Sequence, residues 1–133
     1  MLTENHITQL LADHLTSKGF VIKQQLTTRQ KGVDLIARCT TGRMHYIEVK
    51  GETSARDGSA RFGLPFKSSQ IWSHVSVALL KTLSVINEFP GEANHFGMAF
   101  PENHRELLRS IKPSLDKLGL TVYLISEDEV SEL

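Results

Sequence analysis

Apolar residues recur at helical spacing from Ile7 through Leu10, Leu11 and Leu15, which predicts a helix over about residues 4 to 18. Thr3 is placed to cap it and Gly19 to end it. Phe20, Ile22 and Leu26 then alternate with Val21, Lys23 and Gln25, a strand pattern that stops at the polar stretch 27–32. Two further β-rich runs, Val33 to Thr40 and Met44 to Lys50, are joined by Thr40-Thr41-Gly42. That length suits a three-residue hairpin loop with Gly42 in the left-handed conformation. Residues 51–66, dense in glycine with Pro65 near the end, read as a loop.

From Ser68 or Ser69 onward, Ile71, Trp72, Val75, Leu79, Leu83 and Ile86 define the longest helix, stopped by Phe89-Pro90-Gly91. Trp72 falls on this stripe and is expected in the core. His95 to Phe100 reads as a strand ended by Pro101. Leu107, Leu108, Ile111, Leu115 and Leu118 give a third helix, interrupted near Pro113 and ended by Gly119, and Leu120 to Ile125 is the last strand. Ser126 to Glu129 matches a capping box for one more helical turn, or begins an acidic frayed tail over 126–133. The order α-β-β-β-α-β-α-β contains no internal repeat, so residues 1–133 are expected to form a single α/β sandwich domain. Its mixed central sheet would combine an antiparallel hairpin with parallel crossovers that place helices on its faces.

With 40% apolar and 23% charged residues in 133, the chain can bury a core without a disulfide or a structural metal. A single cysteine, Cys39, excludes an intramolecular disulfide and is expected to serve packing; this fits a reducing, cytoplasmic setting. No apolar run approaches the roughly 20 residues of a membrane span, and the first residues lack the pattern of a secretory signal. The zero net charge hides a gradient: residues 18–67 hold ten basic and four acidic side chains, whereas residues 68–133 hold five and nine. A basic middle third is what a polyanion-binding face needs, although an ordinary solvated surface gives the same tally.

Residues two apart in a strand share a face, so Glu48 and Lys50 point together. If Thr40-Thr41-Gly42 is the hairpin loop, Cys39 faces Arg43 and Asp34 faces Glu48. Directly opposed β-carbons lie about 5 Å apart, and two like charges there are destabilising without a positive partner. Val33, Leu35, Ile47 and Val49 make the surroundings apolar. Protonation of one carboxylate, neutralisation by Lys50, or a divalent cation between the oxygens would each resolve the conflict. A hard cation such as Mg²⁺ suits carboxylate and carbonyl oxygens, and the reaction these parts fit is attack of an activated water on phosphorus, with Lys50 orienting or deprotonating that water.

The Asp34-x13-Glu48-x-Lys50 spacing is weak as a bare pattern, but its setting is specific. The stretch GVDLIARCTTGRMHYIEVKG, on the second and third strands after a first helix, resembles the core of the PD-(D/E)XK phosphodiesterase superfamily, and the expected topology extends the resemblance over nearly the whole chain. It is most similar to small single-domain members such as Holliday-junction resolvases and restriction-endonuclease-like enzymes. The resemblance implies Mg²⁺-dependent endonucleolytic hydrolysis of DNA, with Mn²⁺ able to substitute. It makes Asp34 and Glu48 metal ligands, the Val49 carbonyl a further ligand, and Lys50 the catalytic lysine. Val33 stands where the motif's proline would be, with Gly32 offering the bend into the strand. Glu4 resembles a first-helix glutamate that reaches the metal in resolvase-like members, or is a first-turn acid favoured by the helix dipole. Gln70 resembles a glutamine placed beside the lysine, or is a solvent-facing helix-start residue.

Arg29, Lys31, Arg56, Arg61 and Lys67 flank the site in sequence and are candidates for phosphate contact, with solvated loop charge as the alternative. The six histidines show no zinc-site spacing, and no phosphate-cradling glycine loop supports ATP use. Cutting two strands would call for a homodimer. The competing reading is an inactive nucleic-acid-binding or protein-interaction module with the same fold, favoured by the zero net charge and acidic second half.

Overall fold

The structure is a computed structural model that describes residues 2–51 and 68–133. Arg56, Arg61, Lys67 and all but Gly51 of the loop expected at 51–66 lie outside the described residues. The first helix, α1, spans Glu4–Ser17; the Thr3 hydroxyl accepts from the His6 N–H at its start, and Gly19, at φ +91°, follows its end. Three strands follow, β1 (Val21–Gln25), β2 (Leu35–Arg38) and β3 (Met44–Val49). The second helix, α2, covers Ser68–Glu88 and leads to β4 (Asn94–Pro101). A 3₁₀ turn over Glu102–His104 runs into α3 (Arg105–Lys117), and β5 (Leu120–Ile125) and β6 (Val130–Glu132) complete the chain.

The result is an α/β fold with one six-stranded mixed sheet in the order β1-β2-β3-β4-β5-β6. The β3–β4 and β4–β5 pairs are parallel and the other three antiparallel. Alternation along the strands sorts the core into two layers. Ile7, Leu11 and Leu15 of α1 pack with Leu35, Ile47, Val49 and Ala99 on one face. On the other, Val75 and Ala78 of α2 and Leu108 and Leu115 of α3 pack with Met98, Phe100 and Val122. Among the described residues no helix is long and apolar enough to cross a membrane.

The β2–β3 register is the expected one. Leu35 pairs with Ile47 and Arg38 with Met44, the Cys39 N–H donates to the Arg43 carbonyl, and Gly42 sits at φ +87° in the loop. Four expectations are corrected. Residues 126–133 are neither a helical turn nor a frayed tail: the Ser126 N–H donates to the Glu129 carbonyl, closing a turn that returns β6 antiparallel to β5. Val130 and Leu133 are drawn into the two core layers, which outweighs the capping-box pattern.

Helix α3 continues through Pro113 rather than breaking there. The carbonyl deprived of a donor is that of Arg109, an exposed residue, so solvent is open to it. Trp72 is 65% exposed rather than in the core, because the buried stripe of α2 runs through Val75, Ala78 and Thr82 and Trp72 lies roughly a quarter turn away from its centre. Cys39 is not a core packing residue either: it is half-buried in the hairpin, where its thiol meets the Thr41 hydroxyl at 3.0 Å and is held below the usual thiol range by that contact.

Gly51 is the joint between the sheet and α1. A Cβ there would stand 2.5 Å from the Glu4 nitrogen, so only glycine lets the end of β3 close onto the helix start. Gly51→Ala is expected to push the two apart and cost about 1–3 kcal/mol, read by urea denaturation. An unchanged midpoint would show that the helix start yields freely.

Candidate active site

The site is built where β2 and β3 diverge from simple pairing. Gly32, at φ +131°, bends the chain toward β2 in a conformation an L side chain rarely adopts. The Val33 carbonyl accepts from the Gln24 side chain, and the N–H of Val49, the last residue of β3, donates at 2.8 Å to Asp34 Oδ2. Asp34 is therefore held by the strand that carries Glu48. Both acids are buried, at 9% and 6% exposure, although their neighbours are apolar. Extending the observed register by one step sets them opposite each other.

Two lysines answer the negative charge. Lys50 Nζ stands 3.9 Å and Lys81 Nζ 3.7 Å from Glu48 Oε1, close enough for ion pairing and too far for a hydrogen bond. They do not compensate fully. Desolvation first, and then the Asp34 charge, push the Glu48 carboxyl up to about 7 against the pull of both lysines, and a hydrogen bond shared with Asp34 adds to the rise. A hydrogen bond between two carboxyl groups needs a proton on one of them. Of the three resolutions open to the opposed acids, the fold supplies the lysine partner, and the burial of Glu48 beside Asp34 favours protonation.

Glu4 completes the acidic group. It occupies the first turn of α1 and lines the same cleft as Asp34 and Glu48; burial and the Asp34 charge raise it to about 7. The cleft measures about 610 Å³ and is walled by Lys31 and Thr28 on one side and by Leu80, Lys81 and Ser84 of α2 on the other. Arg29 is exposed and is not among the described residues lining it. Gln70 sits half-buried in the first turn of α2, eleven positions before Lys81, and is likewise outside the lining. At 1.5 Å per residue that separation is about 16 Å along the helix.

Lys81 escaped the sequence reading. Its signal was present all the same: it is the one Lys, Arg, Asp or Glu between Ser68 and Asn87, and a solitary charge in so long an uncharged stretch asks for a partner. Among the described residues no group of three or more His, Cys, Asp or Glu side chains converges into a cage of protein ligands. The donors instead fit an ion that takes one or two carboxylates and keeps its remaining positions for water or substrate, as Mg²⁺ does. Asp34 and Glu48, with the Val49 carbonyl beside them, are the residues that would hold it. No family model, no curated protein and no solved structure matches this chain.

Proposed function

We propose that this chain is a restriction-endonuclease-like phosphodiesterase that hydrolyses DNA with Mg²⁺ or Mn²⁺. The observation that carries the reading is the opposed, buried Asp34–Glu48 pair with two lysine ammonium groups within 4.0 Å of one carboxylate oxygen, where Asp34, Glu48 and Lys81 line a ligand-sized cleft and Lys50 stands behind Glu48 outside that lining. Such a constellation is costly to a fold that has no use for it. The mixed sheet with α1 before the hairpin and α2 crossing to a parallel β4 is consistent with it.

When bound, the metal would supply charge neutralisation at the phosphoryl oxygens and acidify a water. Asp34, fixed by the Val49 N–H, contributes an oriented carboxylate. With its carboxyl pushed up to about 7, Glu48 is only partly ionised at neutral pH in the metal-free chain and would give up the remaining proton on becoming a ligand. The Lys50 ammonium stands on the Glu48 side of the site and donates hydrogen bonds toward the attacking water or a phosphoryl oxygen, while Lys81 and Lys31 reduce the repulsion between phosphate and the three acids.

The test is a labelled panel of plasmid, linear duplex, four-way junction, single-stranded DNA and RNA, incubated with Mg²⁺, Mn²⁺ or EDTA. Metal-dependent cleavage of DNA is the expected result; salt-sensitive binding without cleavage would sink the hydrolytic reading. A second reading, a protein-interaction module, draws on one feature. Trp72 and Leu80 of α2 are 65% and 67% exposed, and Val77 and Leu83 of the same helix are exposed as well. It predicts no nucleic-acid affinity at low salt.

A further inference from the structure

Successive residues of a helix turn by about 100°, which gathers Trp72, Ser73, Ser76, Leu80, Leu83 and Ser84 of α2 onto one face about a third of the circumference wide. All six are exposed. The solvent face of a helix ordinarily carries its charged residues. This one carries none: Lys81 lies about a third of a turn from the centre of the face and pairs with Glu48. Three large apolar side chains stand there instead, interleaved with three serines.

The interleaving is self-complementary. Two copies of α2 crossing antiparallel at the level of Ala78 set Trp72 against Ser84, Leu83 against Ser73 and Leu80 against Ser76, a large side chain over a small one in every pair. Two-fold symmetry repeats each contact. With no ionisable side chain among the six, no like charges are opposed. Nor does burial strand the central hydroxyl, because Ser76 Oγ donates at 2.8 Å to the Trp72 carbonyl. The contact from residue 72 to 84 is about 18 Å long, small against the roughly 1,600 Å² of a standard interface, so the pairing should be weak and reversible, with a dissociation constant on the order of 10–100 μM.

We infer that α2 pairs with α2 of a second copy of this chain through this face. Leu80 and Ser84 also line the cleft, so the second copy extends the α2 wall of that cleft, with the partner's Trp72 over Ser84. Association is a property of the metal-free chain, and only the use of the extended wall by a nucleic acid rests on the hydrolytic reading.

Sedimentation equilibrium of the full chain in EDTA, over about 1–500 μM, should show a monomer–dimer equilibrium. Trp72 is the one tryptophan, so its fluorescence reports on this face alone and should shift to shorter wavelength as the dimer forms. Leu80→Ser removes the large member of the central pair, and Ser76→Leu sets leucine against leucine; each is expected to weaken association at least about 30-fold. The exchange of both, Ser76→Leu with Leu80→Ser, restores large over small and should return association to within about fivefold of the parent. Undirected apolar stickiness predicts the opposite for Ser76→Leu, tighter association. A chain that stays monomeric throughout, a dimer whose tryptophan emission does not move, or a Ser76→Leu variant that associates more tightly overturns the inference. The expected dimer from a chain that cleaves nothing would support the pairing and remove the hydrolytic reading alone.

Discussion

Lys50→Ala is expected to reduce metal-dependent DNA cleavage by about 10²–10⁴-fold, the range a positioned proton donor or acceptor contributes. The side chain is buried against Glu48 and contributes no apolar packing that the neighbouring core layers depend on, so the fold should persist. Nucleic-acid affinity measured in EDTA should change by no more than about threefold, because one largely buried ammonium adds little to a phosphate-binding surface. The comparison is cleanest as single-turnover rates at saturating protein, where weaker binding cannot pass for slower chemistry. A variant that still cuts at the parental rate would take Lys50 out of the reaction. One secondary effect has a predictable sign: with Lys50 gone, Glu48 loses one of the two charges that lower its pKa, and more metal is needed at neutral pH to displace its proton.

Glu48→Gln should abolish cleavage and, without metal, make the protein more stable at pH 8. In the folded chain the carboxyl titrates near 7, above its ordinary value of 4.5. A carboxyl raised on folding stabilises the native state fully below its unfolded pKa and loses that contribution as pH climbs through the folded one. At pH 8 the parent holds a poorly compensated buried charge that glutamine lacks, and the variant should gain on the order of 2–3 kcal/mol. At pH 5 most of the gain disappears, because the parental carboxyl is itself largely protonated. Burial lowers the pKa of His45, His74 and His104, and these groups push total stability the other way over the same window. Taking the difference between variant and parent at each pH cancels them. Urea denaturation at pH 5, 6, 7 and 8 checks the trend, and a difference independent of pH would show that Glu48 titrates as an ordinary exposed acid.

Both predictions start from a pairing that could be read in the chain. The period of two in Val33–Thr40 and Met44–Lys50, with a loop that seats Gly42 at positive φ, leaves one register that buries Leu35, Ala37, Ile47 and Val49 together. That register alone opposes Asp34 and Glu48 and sets Lys50 on their face. The first two helices and β5 were equally legible, since each is announced by a periodic apolar stripe and a cap, glycine or proline at its ends.

Local pattern assigns residues to elements, and it is silent on which surfaces meet between elements far apart in sequence. Lys81 joins Glu48 only because α2 packs across β3 and β4, and Glu4 enters the cleft only because Gly51 lets α1 close on the end of β3. His74 and His104 stack on each other across thirty residues and two elements, a separation at which histidine spacing carries no information. Trp72 lies on the apolar stripe by sequence and faces outward in space, because the burial of Val75, Ala78 and Thr82 sets the rotation of α2. The acidic end became β6 because β5 had an unpaired edge and the core had room for Val130 and Leu133, which is decided by packing and not by the four residues that spell a cap. Sequence alone determined the hairpin, the pair of acids it opposes and the lysine on their face; Lys81 and Glu4 were brought to that pair by tertiary contact, where burial sets the cost of each charge and its neighbours determine how much is offset.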